Sequence, residues 1–253
     1  MNQILVTEKL YITPELKRKK KIYKFYFILS VFIVLILTSF YIYAEYDRNK
    51  SAEVSQQLLD DMNKTLEGTT EDTTIAQDDV LLVVLNGTTE ETQQEEQQSS
   101  VTTANEKAEW KTSAAGYKYK IIATVEVPKI SLKYTVVQGQ SGSIEETESL
   151  LKSSPVKYHG YDPNEVGNFC IVGHNYRNSK FFSKVPNLTV GDTVKLTDLT
   201  GRTINYEVYD KHTVDPSDTK DTTQLTGGRK ELTLITCTDD SKLRVIVRCK
   251  EVK

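Results

Sequence analysis

The sequence predicts a mainly β domain displayed outside the cell by one membrane helix and an acidic stalk. Three observations predict it: a twenty-residue uncharged apolar run at 25–44, an acidic low-complexity stretch at 45–116, and short extended patterns between turns over 117–253. Charge divides the same way. Residues 1–24 carry seven Lys/Arg against two Asp/Glu, 45–116 carry five against sixteen, and 117–253 carry twenty against seventeen. A small soluble enzyme with one uniform surface is excluded, and so is a multi-span transporter.

The run 25–44, FYFILSVFIVLILTSFYIYA, has only Ser30, Thr38 and Ser39 as weakly polar members. At about 1.5 Å rise per residue it covers roughly 30 Å, the thickness of a hydrocarbon core. Tyr23, Tyr26, Tyr41, Tyr43 and Tyr46 stand near its two ends, where amphipathic rings prefer the headgroup region. The basic run 17–21, KRKKK, precedes it, so the positive-inside rule predicts a cytoplasmic tail at 1–24 and an extracellular 45–253. Ile42-Tyr43-Ala44 is bulky where signal-peptide cleavage wants small residues, which favours an uncleaved anchor.

Residues 45–116 contain runs such as GTTEDTT and NGTTEETQQEEQQSS. Low hydrophobicity with one-sided charge cannot offset chain entropy, so this segment reads as a largely disordered or loosely helical extracellular spacer. A short helix over 51–66, continuing from the membrane, is compatible with it. The apolar stretch 80–85, VLLVVL, is the exception: a docked strand or helix and a sticky patch both remain open.

Residues 117–253 have the size of one domain. Extended patterns fall at 117–127, 130–137, 169–172, 193–196, 204–214, 232–236 and 243–249, separated by Gly191-Asp192, Gly201 and Gly227-Gly228. Ser143, with Glu146 three residues on, caps one short helix over 143–152. About eight strands with turns between them suggest a closed barrel or a sandwich. There is no CxxC and no nucleotide-binding Gly-rich loop, and His is scarce, so no metal, cofactor or nucleic-acid partner is expected.

Three cysteines leave at least one free thiol in an extracellular domain. Cys170, within FCIVG, and Cys249, sharing a strand face with Val245 and Val247, read as buried volume. Cys237 ends the apolar strand LTLIT and opens the polar turn TDDSK, a rim that a substrate can reach. On the residues alone, a nucleophile and an ordinary rim residue remain equally open. A thiol nucleophile needs a proton-moving partner and an oxyanion donor. His174 ends strand FCIVG at another rim, whereas His159 reads as a loop residue and His212 as a mid-strand one. Arg244 and Arg248 lie four apart on one face of the last strand, Arg244 nearer the turn; a solvated barrel face is the competing reading for both.

Together these motifs resemble the sortase family of membrane-anchored cysteine transpeptidases of the Gram-positive surface. TLITC at 233–237, the strand resuming at Arg244, and Gly173-His174 after an apolar strand carry the resemblance. TVEVPKISLKYTVVQG, PNEVGNFCIVGHN and FFSKVPNLTVGDTVKL match further family elements in the right order, over nearly all of 121–253. The resemblance implies a closed eight-stranded barrel with one or two short helices, occupying 117–253 as the catalytic domain. It implies Cys237 as nucleophile, His174 as general acid/base and Arg244 as oxyanion stabiliser. It implies secreted proteins bearing an LPxTG-like sorting signal as donors, with a cell-wall precursor amine or a pilin lysine as acceptor. A membrane-tethered cysteine hydrolase and a non-catalytic stalked binding module are the alternatives.

Overall fold

The computed structural model describes residues 14–71, 104 and 108–252, which fall into two compact units, Met1–Lys50 and Ser51–Lys253. The run 80–85 and about half of the acidic stretch lie outside the described residues. Helix α1, Pro14–Glu71, is in its first half long and apolar enough to cross a membrane. In that half the apolar side chains of residues 25–43 are exposed, as a membrane-facing surface requires.

Among the described residues nine strands follow: β1 Lys111–Thr112, β2 Lys118–Val127, β3 Leu132–Gly139, β4 Val156–His159, β5 Gly167–Val172, β6 Thr193–Asp198, β7 Thr203–Val214, β8 Lys230–Cys237 and β9 Arg244–Glu251. Their order is β1-β2-β3-β4-β5-β8-β9-β7-β6, and β6 pairs back onto β2. Eight strands therefore close into a barrel, with β1 added outside on the start of β2. Closure removes the open sheet edges that would otherwise pair with other chains. The barrel, not the sandwich, is formed.

Alternation along each strand fills the interior. Leu232 and Leu234 of β8, Val245, Val247 and Cys249 of β9, and Phe169 and Ile171 of β5 all enter one buried cluster with Ile122, Val125 and Phe182. Residues at the intervening positions of β5, β8 and β9 face outward. Cys249 is interior, as the sequence suggests; Cys170 is equally buried but packs outside the barrel with Ile235 and Ile246. Its thiol is pushed up to about 12 by burial, so it is inert.

Helix α2, Ile144–Leu150, starts where Ser143 Oγ accepts a hydrogen bond from the Glu146 amide at 3.2 Å. Glu146 itself turns back and accepts from the amides of Gln140, Ser141 and Gly142, fixing the loop that feeds the helix. Its apolar residue Leu150 joins a second cluster with Ile121, Val137, Leu199 and, from α1, Leu58 and Met62.

That second cluster extends the packed body upstream of Tyr117. Val54, Leu58, Met62 and Leu66 recur every fourth residue on α1 and line one face of it. Asp61 pairs with Lys111 beside them, tying the helix to β1. Met62 is fully buried, so Met62→Ala is expected to destabilise the chain by roughly 2–4 kcal/mol. Thermal unfolding of the full chain measures it; an unchanged melting temperature would mean that the helix adds nothing to the barrel.

Candidate active site

Three neighbouring strands end at one rim. In the β8–β9 ladder Cys237 is directly paired with Arg244, the last and first residues of their strands. Strand β5 runs parallel to β8 with Val172 opposite Ile235, and the Gly173 amide donates to the Ile235 carbonyl at 3.0 Å. Continuing that register by two residues brings His174 beside Cys237. Cys237, His174 and Arg244 all occupy outward-facing positions, since their alternate neighbours Thr236, Gly173 and Val245 turn the other way. Adjacent strands lie about 4.8 Å apart, so the register gives the three residues neighbouring positions on one rim.

Local contacts hold this rim. A Cβ on Gly173 would come within 2.5 Å of the Phe182 ring, so only glycine fits before His174. The Phe182 amide donates to the His174 carbonyl at 3.0 Å, and the Phe181 amide donates to the Tyr134 hydroxyl at 2.8 Å. The Tyr134 and Phe181 rings stack at 5.0 Å, Tyr176 meets Phe181 edge-on, and the His174 ring lies 4.9 Å from Tyr176. Asn175 Nδ2 donates both to the Cys237 carbonyl and to Asp239 Oδ1, each at 3.0 Å. It thereby joins the His174 loop to the turn that follows Cys237.

Burial lowers the pKa of His174 below the ordinary imidazole value; Glu148 opposes the shift and Lys152 reinforces it. The imidazole is therefore neutral at pH 7. Cys237 is part-exposed, unlike the other two thiols.

The two arginines share a face and differ in their bonds. Arg248 Nη2 donates to Glu231 Oε2 at 3.0 Å, its Nη1 lies 3.8 Å from Asp221, and its guanidinium sits 5.2 Å from the Tyr209 ring centre. Arg244 has one long bond, 3.4 Å, from Nη1 to the carbonyl of its neighbour Leu243. Arg248 is committed to structure, and Arg244 has donors to offer.

Arg244 lines a cavity of about 320 Å³. Val172, Ile235 and Ile246 form its apolar floor, α2 and its C-cap give one wall through Ile144, Thr147 and Leu151, and the β7–β8 loop gives the other through Pro216, Thr219 and Thr222. The sequence predicts the helix over 143–152 but not its place beside a cavity, and it points neither to the loop wall nor to a role for Asn175. The loop residues are polar and unpatterned, whereas Ile144, exposed in the first turn of α2, was a readable signal. His159 is not a loop residue, as the sequence suggests, but the last residue of β4, and it lines a separate cavity of about 530 Å³. Among the described residues, no cluster of three or more His, Cys, Asp and Glu is placed to hold a metal ion.

A sortase-domain family model matches residues 125–252, half of the chain. The chain belongs to the sortase family and is a cysteine transpeptidase of that general class. Among solved structures it is similar to a Clostridium perfringens sortase D5 transpeptidase, at 25% identity over 76% of this chain and 98% of that one, TM-score 0.49. It is also similar to sortase C1 of Streptococcus agalactiae (20%, 79% and 99%, 0.49) and to sortase A of Corynebacterium diphtheriae (21%, 83% and 95%, 0.48). No curated protein matches the chain.

Proposed function

We propose that Cys237, His174 and Arg244 cleave an LPxTG-like sorting signal and join the acyl half to an amine. The observation that carries this reading is the strand register, Cys237 against Arg244 and beside the continuation of β5 to His174, next to an apolar groove. In this reading the apolar residues of the signal lie on Val172, Ile235 and Ile246, with the scissile Thr–Gly carbonyl at Cys237.

The Cys237 thiol passes its proton to neutral His174; the thiolate attacks that carbonyl carbon, and Arg244 stabilises the oxyanion that forms. As the tetrahedral adduct collapses, protonated His174 gives its proton to the departing Gly nitrogen, leaving a thioester on Cys237. The acceptor amine then attacks the thioester and yields a proton to neutral His174. Collapse forms the new amide and frees the thiolate. The acceptor is a cell-wall precursor amine or a pilin lysine. In the same reading residues 1–24 are cytoplasmic, 25–44 cross the membrane, the segment from 45 onward is extracellular, and the catalytic unit is displayed at the surface.

The test is product analysis after the chain meets a sorting peptide with and without an amine acceptor. A ligated amide is expected. Free acid as the sole product at saturating amine would favour the hydrolase, and no cleavage would favour a binding module.

The pH profile gives a second check. The productive pair holds one proton; below the first pKa of the pair both partners are protonated and the thiol is inert. That pKa cannot exceed the lowered value of His174, so the acid limb of kcat/KM is expected to have its midpoint below pH 6.5. A midpoint above 6.5, from initial rates across pH 4.5–9, would remove His174 from the role.

A further inference from the structure

His212 and Arg248 take no part in this chemistry, yet both contact the loop that walls the groove. His212 lies on β7 with Nδ1 3.0 Å from Asp210 Oδ2 and Nε2 2.9 Å from Asp221 Oδ2. Asp221 belongs to loop 215–222 and lines the groove itself. A neutral imidazole has one donor nitrogen and one acceptor. Facing carboxylates on both sides, it can satisfy only one of them, and its lone pair then opposes the other. Only the imidazolium bonds both.

We infer that His212 is a positioning residue for the donor groove: as an imidazolium it clamps loop 215–222 to β7 and so sets the affinity for the sorting peptide. The inference rests on the reading of the groove as the peptide site. The other charged groups around the clamp are accounted for. Arg248 of β9 reaches Asp221 at 3.8 Å but is bonded more closely to Glu231 of β8, at 3.0 Å. Glu231 is shared in turn with Arg229 and the Tyr209 hydroxyl. Lys211, next along β7, donates instead to the Pro186 carbonyl, and Lys220 of the loop lies 3.5 Å from Asp218. Asp215 caps Ser217 within the loop, near Arg244. At its far end the loop is held by Asn168 Nδ2, which donates to the Asp221 carbonyl at 2.8 Å. His212 is thus the side-chain tie from β7 to the far end of this wall.

Burial disfavours charge on His212, but the hydrogen bond and charge of Asp221, with Asp210 on the other nitrogen, raise its pKa above the ordinary value. The folded pKa is above the unfolded one. The clamp is therefore complete below pH ~6.5 and is lost as pH rises through the raised folded value. Peptide affinity follows it downward.

The test uses the full chain in detergent and a fluorogenic LPxTG-type peptide, with KM and kcat measured separately from pH 6 to 9. Wild-type KM is expected to rise roughly three- to tenfold over that range, a span fitting loss of one charge-assisted hydrogen bond. His212→Ala should show a raised KM that does not change with pH, with the kcat profile of the wild type. In Asp210→Asn the amide can donate to Nδ1, so a neutral imidazole still donates Nε2–H to Asp221; KM should stay low and flat. A pH-independent wild-type KM, or an Asp210→Asn profile that follows the wild type, would overturn the inference. Hydrogen-exchange protection of 215–222, without peptide, reads the clamp separately from the groove. Protection that falls from pH 6 to 9 in the wild type but not in Asp210→Asn supports the clamp even if no peptide is turned over, an outcome that would instead remove the reading of the groove. Protection that is the same across the pH range overturns the clamp.

Discussion

Cys237→Ala is expected to reduce transpeptidation to background while leaving the melting temperature within a degree or two of wild type. The thiol sits part-exposed at the end of β8, where truncation opens no enclosed cavity, so the change in stability should stay within about 0.5 kcal/mol. Cys249→Ala reverses the pattern. That side chain is fully buried in the barrel with Val245 and Val247, and its loss should cost of order 1 kcal/mol with turnover retained. Product formation and thermal unfolding measured on both variants separate nucleophile from packing. Retained turnover in Cys237→Ala would end the assignment of this thiol.

Arg244→Lys is expected to lower turnover by roughly 10²-fold or more, because an ammonium keeps the charge but loses the planar fork that presents two donors. Folding should hardly change, since the guanidinium makes one long bond to its own neighbour. Arg248→Lys should keep kcat near the native value, with any loss confined to KM and stability. Its contacts are to Glu231, Asp221 and the Tyr209 ring, and Glu231 retains Arg229 and Tyr209 when they are weakened. About 13 Å of extended strand separates the two positions, so they cannot exchange roles without a shift in the register of β9. Single-turnover acylation of each variant decides between them; greater damage from Arg248→Lys would transfer the oxyanion role.

The rim was legible in the sequence because it is written in local patterns. Alternation in 232–236 and 243–249 placed Cys237 and Arg244 at strand ends, and the run FCIVG did the same for His174. The β8–β9 register, Cys237 against Arg244, follows from one short turn. The β5–β8 pairing is different. It is parallel and joins segments about sixty residues apart, and no local pattern encodes which strands become neighbours.

The helix over 51–66 was legible, but its packing face and strand β4 were not. The acidic composition of 45–116 obscured Val54, Leu58, Met62 and Leu66, whose four-residue spacing marks an apolar helix face. Strand β4 has four residues, three of them Lys157, Tyr158 and His159, and a single parallel bridge to β3, so neither length nor alternation announced it. Asn175 was likewise unreadable, because its value lies in reaching both Cys237 and Asp239 across a loop.

The most direct measurement is mass analysis of the full chain after brief reaction with excess LPxTG-type peptide and no amine. A covalent adduct equal to the peptide through its threonyl group is expected on Cys237, and added amine should discharge it as an amide. An acyl group mapped to Cys170 or Cys249, or amide formation that persists after Cys237 has been alkylated, would contradict catalysis by Cys237.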